Sequence, residues 1–317
     1  MGYDFLKTYL RDNYPILGKI KKVELLEHNN INSTNYFVFA GKGKYVLRNF
    51  TDGSSPEKME KTCKILKFCI ERKIKVSEPI LRKKGNFVDE KKNFYLTKYY
   101  PGGFFQGRES ELKDVAKNLA LLHLVLAKSP IRYNYKLGDE YYKHLTLAEL
   151  RQIKKKALAG NTKFDKTVLE NFDYFTESFS RKKKVDSKEN QLIHYDFHPG
   201  NVIFKNNKVA VILDFNAMRR GERIKDLAFA SFKFSFYETK NIELMKKRLK
   251  LIVDTYLKYN PIEINNLNYY FSYIVLERLS YILKKRYFEN SNSWSIDLEK
   301  QINLLKLCSK MNYQNSK

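Results

Sequence analysis

Four polar residues near the middle of the chain have the types and spacing that could do chemistry. His194, Asp196 and Asn201 lie in one polar stretch, and Asp214 follows the next apolar run, Val209–Leu213. Asp196 and Asn201 are five residues apart, and Asp214 comes 18 residues after Asp196. Phosphoryl transfer needs such an inventory: one carboxylate orients and deprotonates a hydroxyl, while a carboxamide and a second carboxylate hold magnesium against phosphates.

A β-hairpin is predicted to bring Asp214 back to this polar stretch. The apolar run Val202–Phe204 is followed by the turn-like residues 205–208 and then by a second apolar run that ends at Leu213. Because a strand advances roughly 3.3 Å per residue, two paired strands of this length return the chain to the edge it left. The sequence therefore predicts that Asn201 and Asp214 lie at the same end of one hairpin.

The first hundred residues read as strands with one helix. The strand patterns cover 23–26, 35–40, 45–50, 79–81 and 94–97, with the run Gly41–Lys44 as a turn. Met59, Cys63, Leu66 and Ile70 recur at helical spacing, which predicts an amphipathic helix over 57–72.

Helical patterns dominate after the Pro-Gly-Gly turn signal in the segment Tyr99–Gly103. They cover 112–126, 242–256 and 267–285, and the stretch 191–215 is a β-like exception. We therefore predict an α+β fold with two lobes. A small β-rich lobe spans 1–97, a hinge spans 98–103, and a larger helical lobe spans 104–317.

The combined motif resembles that of the aminoglycoside phosphotransferase and choline kinase family, small-molecule kinases with a protein-kinase-like fold. The family signature is His-x-Asp-x-x-x-x-Asn followed by Ile-Asp-Phe. Here it reads His194, Asp196 and Asn201, followed by Leu213-Asp214-Phe215. The resemblance covers the whole chain and is strongest over 191–230. It implies a kinase that uses ATP and Mg²⁺.

The resemblance also implies roles for the motif residues. Asp196 corresponds to the catalytic base, and Asn201 and Asp214 correspond to the magnesium ligands. His194 is expected to brace the loop. Asp226 matches an Asp of the family that supports the catalytic loop from the following helix.

The sequence motif does not identify the residues that bind the acceptor as clearly as it identifies the catalytic ones. Tyr195 stands where the family commonly has Gly, which places a large ring beside the catalytic Asp and narrows the acceptor site. His198 either contacts the substrate or packs in the loop. Further acceptor candidates are Tyr273, Arg278 and Trp294, while Arg219 and Arg220 contact either an anionic acceptor or only solvent.

The N-terminal lobe resembles the family more loosely. Residues 30–38 resemble the phosphate-covering loop of bacterial homoserine kinases of this fold, with Asn30 in place of Gly. The resemblance implies that Ser33, Thr34 and nearby backbone N–H groups cap the nucleotide phosphates.

The third strand of that lobe and the hinge that follows the lobe are also expected to hold the nucleotide. Arg48 occupies the usual lysine position on the third strand and is expected to contact phosphates. Its acidic partner is expected from the helix, with Glu60 as first choice and Glu57 as second. Backbone groups at Tyr99 and Tyr100 in the hinge are expected to meet adenine.

The charge balance bears on the acceptor. Lys and Arg outnumber Asp and Glu by 60 to 35, a net charge of +25. Because the basic residues are spread along the chain and no recognition motif is present, we do not expect a nucleic acid partner. A polycationic acceptor is disfavoured. We expect a sugar, amino sugar, amino acid such as homoserine, or amino alcohol, and an aminoglycoside kinase or a degenerate kinase without turnover are the alternatives.

The remaining composition favours a cytoplasmic protein. Cys63, Cys69 and Cys308 match no metal motif and are interpreted as reduced core thiols. No stretch approaches 18 uncharged apolar residues, so we predict no membrane-spanning helix.

Overall fold

The computed structural model describes residues 2–26, 33–50, 55–134, 144–180, 189–291 and 297–308. The chain forms two compact units. The first comprises 1–135, 191–220 and 251–261, and the second comprises 136–190, 221–250 and 262–317.

The first unit is built around a five-stranded antiparallel sheet. Its strands are β1 (Ile20–Leu26), β2 (Ser33–Ala40), β3 (Gly43–Phe50), β4 (Val88–Asp89) and β5 (Phe94–Lys98), in the spatial order β1-β2-β3-β5-β4. The helices are α1 (Tyr3–Asn13), α2 (Pro56–Glu71) and α3 (Glu109–Leu126). Two small sheets follow: β6 (Gln191–Ile193) with β9 (Arg219–Gly221), and β7 (Val202–Lys205) with β8 (Lys208–Ile212).

One face of the large sheet packs against α1. Side chains alternate between the faces of a strand, so Val38 and Leu47 share this face. Both are fully buried in a cluster with Leu6 and Leu10 of α1. This helix was missed in the sequence, where the segment before residue 23 showed no element. Its polar residues outnumber the three buried positions that define its apolar stripe.

The opposite face of the sheet packs against α2 at one end. Phe50 and Tyr95 point to this face and are buried with Met59 and Cys63 of α2. The helix begins where the sequence predicts, because Pro56 occupies its first turn and the Ser55 side chain accepts a hydrogen bond from the Lys58 N–H (3.1 Å).

The second unit is helical. Its helices are α4 (Leu147–Ala159), α5 (Lys163–Glu170), α6 (Phe172–Ser180), α7 (Arg223–Ser235), α9 (Leu267–Tyr287) and α10 (Leu298–Cys308), and α8 (Ile242–Tyr259) runs from this unit into the first. The long helix α9 packs against α7 and α10.

The structure confirms the predicted α+β fold and most of the predicted elements. The expected strand over 79–81 is wrong, since only an isolated bridge joins Pro79 to Thr97. The three cysteines are buried free thiols, as predicted. Over the described ranges, no helix combines the length and apolarity needed to cross a bilayer.

A buried ion pair supplies a test of this fold. The Arg82 guanidinium lies 2.8 Å from the Asp89 carboxylate, which also accepts a hydrogen bond from the Tyr9 hydroxyl (3.0 Å). Because removing one charge leaves the other buried and unpaired, Asp89→Asn is expected to lower the free energy of unfolding by about 3 kcal/mol. The matched control Asp12→Asn, in an exposed pair, should change it by less than about 1 kcal/mol. Urea denaturation measures both, and equal losses would contradict the account.

Candidate active site

The His194 ring joins the polar loop to the strand that leads to Asp214. His194 is fully buried. Its Nδ1 accepts a hydrogen bond from the backbone N–H of Asp196 (3.2 Å), and its Nε2 lies 2.9 Å from the carbonyl oxygen of Leu213. Since Nδ1 accepts, the ring proton is on Nε2, which donates to Leu213. The two bonds hold the backbone at Asp196 next to the residue that precedes Asp214.

The Asn201 side chain is bonded to Asp196. Its Nδ2 donates to the backbone oxygen of Asp196 (2.9 Å) and to the carboxylate Oδ2 (3.0 Å). A hydrogen bond from the Asn201 N–H to the carbonyl of His198 (2.9 Å) closes the short turn 199–201. With both amide hydrogens used by Asp196, the amide oxygen Oδ1 is the group that Asn201 can offer to a cation.

The predicted hairpin is confirmed, and it brings Asp214 to this loop. Val202 pairs with Ile212 across β7 and β8, and the Leu213 N–H donates to the backbone oxygen of Asn201 (2.8 Å). Asp214 itself has a φ of +56°, in the left-handed region that side chains rarely adopt. Strained backbone of this kind clusters at functional sites, because the surrounding structure has to enforce it.

Tyr195 is in the left-handed region too, with a φ of +65°. This conformation explains why glycine suits the position, since glycine adopts it without steric cost. The Tyr195 ring is buried, and the Arg219 guanidinium carbon lies 3.0 Å from the ring centroid. The Arg219 cation therefore stacks on the ring of Tyr195, the residue that precedes Asp196.

His198 is at the rim of the loop. Its Nδ1 accepts a hydrogen bond from the Gly200 N–H (3.0 Å), so the ring proton is on Nε2. That Nε2 lies 3.6 Å from the Asp196 carboxylate, and about a third of each side chain is exposed (32% and 37%). The loop thus presents a half-exposed carboxylate flanked by a half-exposed imidazole.

Arg48 lies on the sheet face that α2 covers in part. The register of β3 and β5 sets it directly opposite Tyr95, so the two side chains share that face of the sheet. Burial alone would lower the pKa of Arg48, but Tyr95 and the Asp214 carboxylate raise it above its ordinary value. Burial raises the pKa of the Tyr95 phenol to about 12, although Arg48 opposes that shift. Arg48 therefore remains a cation despite its burial, and the Asp214 carboxylate is among the groups that favour its charged form.

The expected pairing of Glu60 with Arg48 needs correction. The Glu60 Oε2 accepts hydrogen bonds from the backbone N–H groups of Phe87 (2.9 Å) and Val88 (3.0 Å). Its other oxygen lies 3.5 Å from Lys64. Two backbone donors hold the carboxylate against β4, and no described residue forms an ion pair with Arg48.

The second choice, Glu57, is not paired with Arg48 either. Its carboxylate accepts a hydrogen bond from Lys61 (2.8 Å), one turn further along α2.

The other nucleotide candidates lie on the same sheet or just after it. Thr34 is exposed on β2 opposite Asn49, and Ser33 begins that strand. The stretch 30–32 lies outside the described residues. At the hinge, the Tyr99 N–H donates to the Lys44 carbonyl (3.0 Å), so this amide is already used within the protein. Tyr100 follows, with the pKa of its phenol raised by burial.

Four candidates, Asp226, Tyr273, Arg278 and Trp294, belong to the second unit, and Tyr273 lies on α9. Asp226 is fully buried in the first turn of α7. Arg278 on α9 lies 3.3 Å from the Asp297 carboxylate. Trp294 lies outside the described residues, as does the basic run 181–184.

The donor set fits a magnesium ion. Asn201 offers an amide oxygen and Asp214 a carboxylate, the hard oxygen ligands that magnesium prefers. In the part of the chain that the structure describes, no group of three or more His, Cys, Asp or Glu could hold a metal. Magnesium at these two residues would therefore take its remaining ligands from water and phosphate oxygens.

Sequence reasoning missed Tyr95 and Lys58. Lys58 is buried in α2, and its ammonium donates to the backbone oxygen of Asn216 (2.8 Å), two residues after Asp214. Nothing in the helical pattern marks it, because a lysine is normally placed on the exposed side of a helix. Tyr95 could have been found by aligning the two strands, since the correct register sets it opposite Arg48.

Comparison with known proteins identifies a family. The sequence profile of the phosphotransferase enzyme family matches residues 22–252 of this chain. That range includes every motif residue from Arg48 to Asp226. A search among curated proteins found no significant match.

Solved structures share the fold at low identity. One is an amicoumacin kinase, solved with AMP-PNP, Ca²⁺ and its antibiotic, which is 13% identical in sequence and superposes with a TM-score of 0.65. The alignment covers 97% of this chain and 93% of the amicoumacin kinase chain. A spectinomycin phosphotransferase, solved with ADP and spectinomycin, is 14% identical with a TM-score of 0.65 and coverages of 99% and 96%. The choline kinase LicA from Streptococcus pneumoniae is 13% identical with a TM-score of 0.61 and coverages of 96% and 98%.

The backbone at Tyr195 yields a matched pair of variants. Tyr195→Gly and Tyr195→Ala both lose the ring beneath Arg219, but only glycine adopts a φ of +65° without steric cost. The glycine variant is therefore expected to be more stable than the alanine variant by about 1 kcal/mol in urea denaturation. An alanine variant that is equally stable would show that this loop does not enforce the conformation.

Proposed function

The chain belongs to the phosphotransferase enzyme family, and from that membership we propose an ATP-dependent kinase that phosphorylates a hydroxyl group of a small metabolite. One observation carries the proposal. The loop of Asp196 and the strand end at Asp214 are joined through Asn201, whose side chain bonds to Asp196 and whose backbone bonds to Leu213. A base and two metal ligands are thereby held in one place.

Asp196 is the proposed base. The acceptor hydroxyl lies beside its half-exposed carboxylate, and the hydroxyl oxygen forms a bond to the γ-phosphorus as the bond to the bridging oxygen of ADP breaks. The hydroxyl proton passes to Asp196. The amide of Asn201 fixes the carboxylate (3.0 Å), so most of the acceleration comes from positioning and electrostatics.

Asn201 and Asp214 are the proposed magnesium ligands. Magnesium held by these residues would neutralise charge on the nucleotide phosphates. The protein's own part is to hold the amide oxygen and the carboxylate at one end of the hairpin, with Arg48 beside Asp214.

The nucleotide is proposed to lie on the sheet face of Arg48. Phe37 and Val46 share that face by register, which gives a base an apolar surface. Arg48 contacts the phosphates, with Ser33 and Thr34 near them. The segment 98–103, including Tyr99 and Tyr100, is the proposed hinge between lobes of 1–97 and 104–317, and it meets adenine through amides other than that of Tyr99.

A neutral or anionic hydroxylated acceptor is favoured. The Arg219 guanidinium on the Tyr195 ring puts positive charge next to the proposed base (3.0 Å to the ring centroid). The net charge of +25 acts in the same direction. A sugar or an amino acid has no net positive charge, and an amino sugar or amino alcohol has a single one, so each fits this charge better than a polycationic aminoglycoside. Two of the similar proteins are nevertheless named as kinases of the antibiotics amicoumacin and spectinomycin. The buried reduced thiols fit a cytoplasmic enzyme.

The test is a magnesium-dependent screen for ADP formation against pooled sugars, amino sugars, amino alcohols, homoserine and aminoglycosides. Asp196→Asn is expected to lower turnover by about 10²- to 10⁴-fold, because the base is lost. Its ATP affinity should stay within about threefold, because uncharging a group that acts on the hydroxyl leaves the phosphate contacts in place. The control is Asp12→Asn, which removes an exposed carboxylate on α1 in the same way.

The outcomes separate the alternatives. A hit that Asp196→Asn abolishes supports the kinase and names its acceptor class, and an aminoglycoside hit would contradict the charge argument. ATP binding with no turnover against any pool would favour a degenerate kinase. Loss of ATP binding in step with turnover in Asp196→Asn would contradict the role of Asp196.

A further inference from the structure

Helix α2 carries a buried lysine near its N-terminus. Lys58 lies in the first turn of the helix, and only 7% of its surface is exposed. A lysine is almost never buried to this extent unless its ammonium has a partner. The Nζ of Lys58 donates to the backbone oxygen of Asn216 (2.8 Å), which is 158 residues away in the chain. A hydrogen bond with a charged donor is stronger than a neutral one, so this contact ties two distant segments together firmly.

The start of α2 sets the position of Lys58. The Ser55 side chain accepts a hydrogen bond from the Lys58 N–H (3.1 Å), and Pro56 occupies the first helical position. One turn later, the Thr62 hydroxyl donates to the Lys58 carbonyl (2.9 Å). The backbone of Lys58 is therefore held through both its N–H and its carbonyl, and the side chain extends to Asn216 from a fixed point.

Asn216 belongs to the turn that follows Asp214. Its N–H donates to the Asp214 Oδ1 (3.4 Å), while its carbonyl accepts the bond from Lys58. On the other side of Asp214, the Leu213 N–H donates to the backbone oxygen of Asn201 (2.8 Å). The chain is thus held both before and after Asp214. A φ of +56° at Asp214 needs such restraint, because this conformation persists only where the surrounding structure enforces it.

We propose that Lys58 is a positioning residue for Asp214, through which the metal site depends on the first turn of α2. This inference rests on the proposed function, because it takes Asp214 as a magnesium ligand. Lys58 does not bind the metal itself, since a protonated amine has donors only. It holds the turn after Asp214, so the carboxylate is already oriented when a cation arrives. Groups that orient a metal ligand in this way contribute strongly to metal affinity.

The test measures manganese binding by electron paramagnetic resonance in the presence of a non-hydrolysable ATP analogue, with no turnover needed. Lys58→Met keeps most of the apolar stem and loses the ammonium. It is expected to weaken manganese binding by about tenfold, because the turn after the metal ligand is released. Affinity for the same analogue without metal, measured by isothermal titration calorimetry, should stay within about twofold, since Lys58 acts on the metal ligand and not on the phosphates.

The matched control is Lys67→Met, which removes an exposed ammonium from the same helix. We expect both of its affinities to equal those of the wild type. Thermal unfolding without ligand shows whether each variant has kept its fold. If Lys58→Met does not fold, Lys58→Gln replaces it, because its amide is uncharged and its side chain is one bond shorter than that of lysine. The same loss of manganese affinity is expected.

A double-mutant cycle tests whether Lys58 acts through Asp214. In an Asp214→Asn background, Lys58→Met should change manganese affinity by less than about twofold, because the carboxylate that Lys58 positions is gone. Equal effects in both backgrounds would overturn the inference. So would a parallel loss of metal-free nucleotide affinity, which indicates a general structural role.

The two proposals fail in different ways. If Asp214→Asn binds manganese as tightly as the wild type, the proposed metal site itself is wrong. If Asp214→Asn weakens manganese binding and Lys58→Met matches the wild type, only the role of Lys58 is wrong.

Discussion

The active site depends on two carboxylates, Asp196 and Asp214, that are held at the same end of one hairpin. Like charges repel when they are brought together, so the fold has to supply donors that offset the repulsion. Asn201 donates to Asp196, and Arg48 interacts with Asp214. The backbone oxygen of the same Asn201 accepts a hydrogen bond from the Leu213 N–H (2.8 Å), so one residue both stabilises the Asp196 carboxylate and fixes the geometry.

The segments that carry these groups are tied to one another by backbone hydrogen bonds within the first unit. The Ile212 N–H donates to the Lys75 carbonyl (2.7 Å), and the Ser77 N–H donates to the Ile212 carbonyl (3.0 Å). Lys58 bonds to the backbone of Asn216 from α2 (2.8 Å). The strand end at Asp214 is therefore fixed by the segment 75–77 and by α2, and a residue with a positive φ can be maintained there.

The sequence predicts the catalytic loop well and the sheet partners poorly. Residues 194–214 are close in the chain, so motif spacing and a short hairpin suffice to place Asp196, Asn201 and Asp214 together. The residue that lies opposite Arg48 depends on how β3 aligns with β5. These strands are nearly fifty residues apart in the chain, and local sequence patterns do not set their register. Glu60 was expected from its place on α2, but the backbone N–H groups of Phe87 and Val88, at the start of β4, bind its carboxylate. The helix α1 was missed because its three buried side chains form too narrow a stripe.

The most direct measurement of the central claim is metal binding rather than turnover. Manganese, which can replace magnesium and is visible by electron paramagnetic resonance, would be titrated into the protein with a non-hydrolysable ATP analogue. If Asn201 and Asp214 hold the metal, Asn201→Ala and Asp214→Asn should each weaken manganese binding by about tenfold or more, because each removes an oxygen ligand. The exposed control Asp12→Asn should bind as the wild type does. Equal manganese affinity in all four proteins would contradict the claim that this hairpin end is a metal-dependent phosphoryl-transfer site.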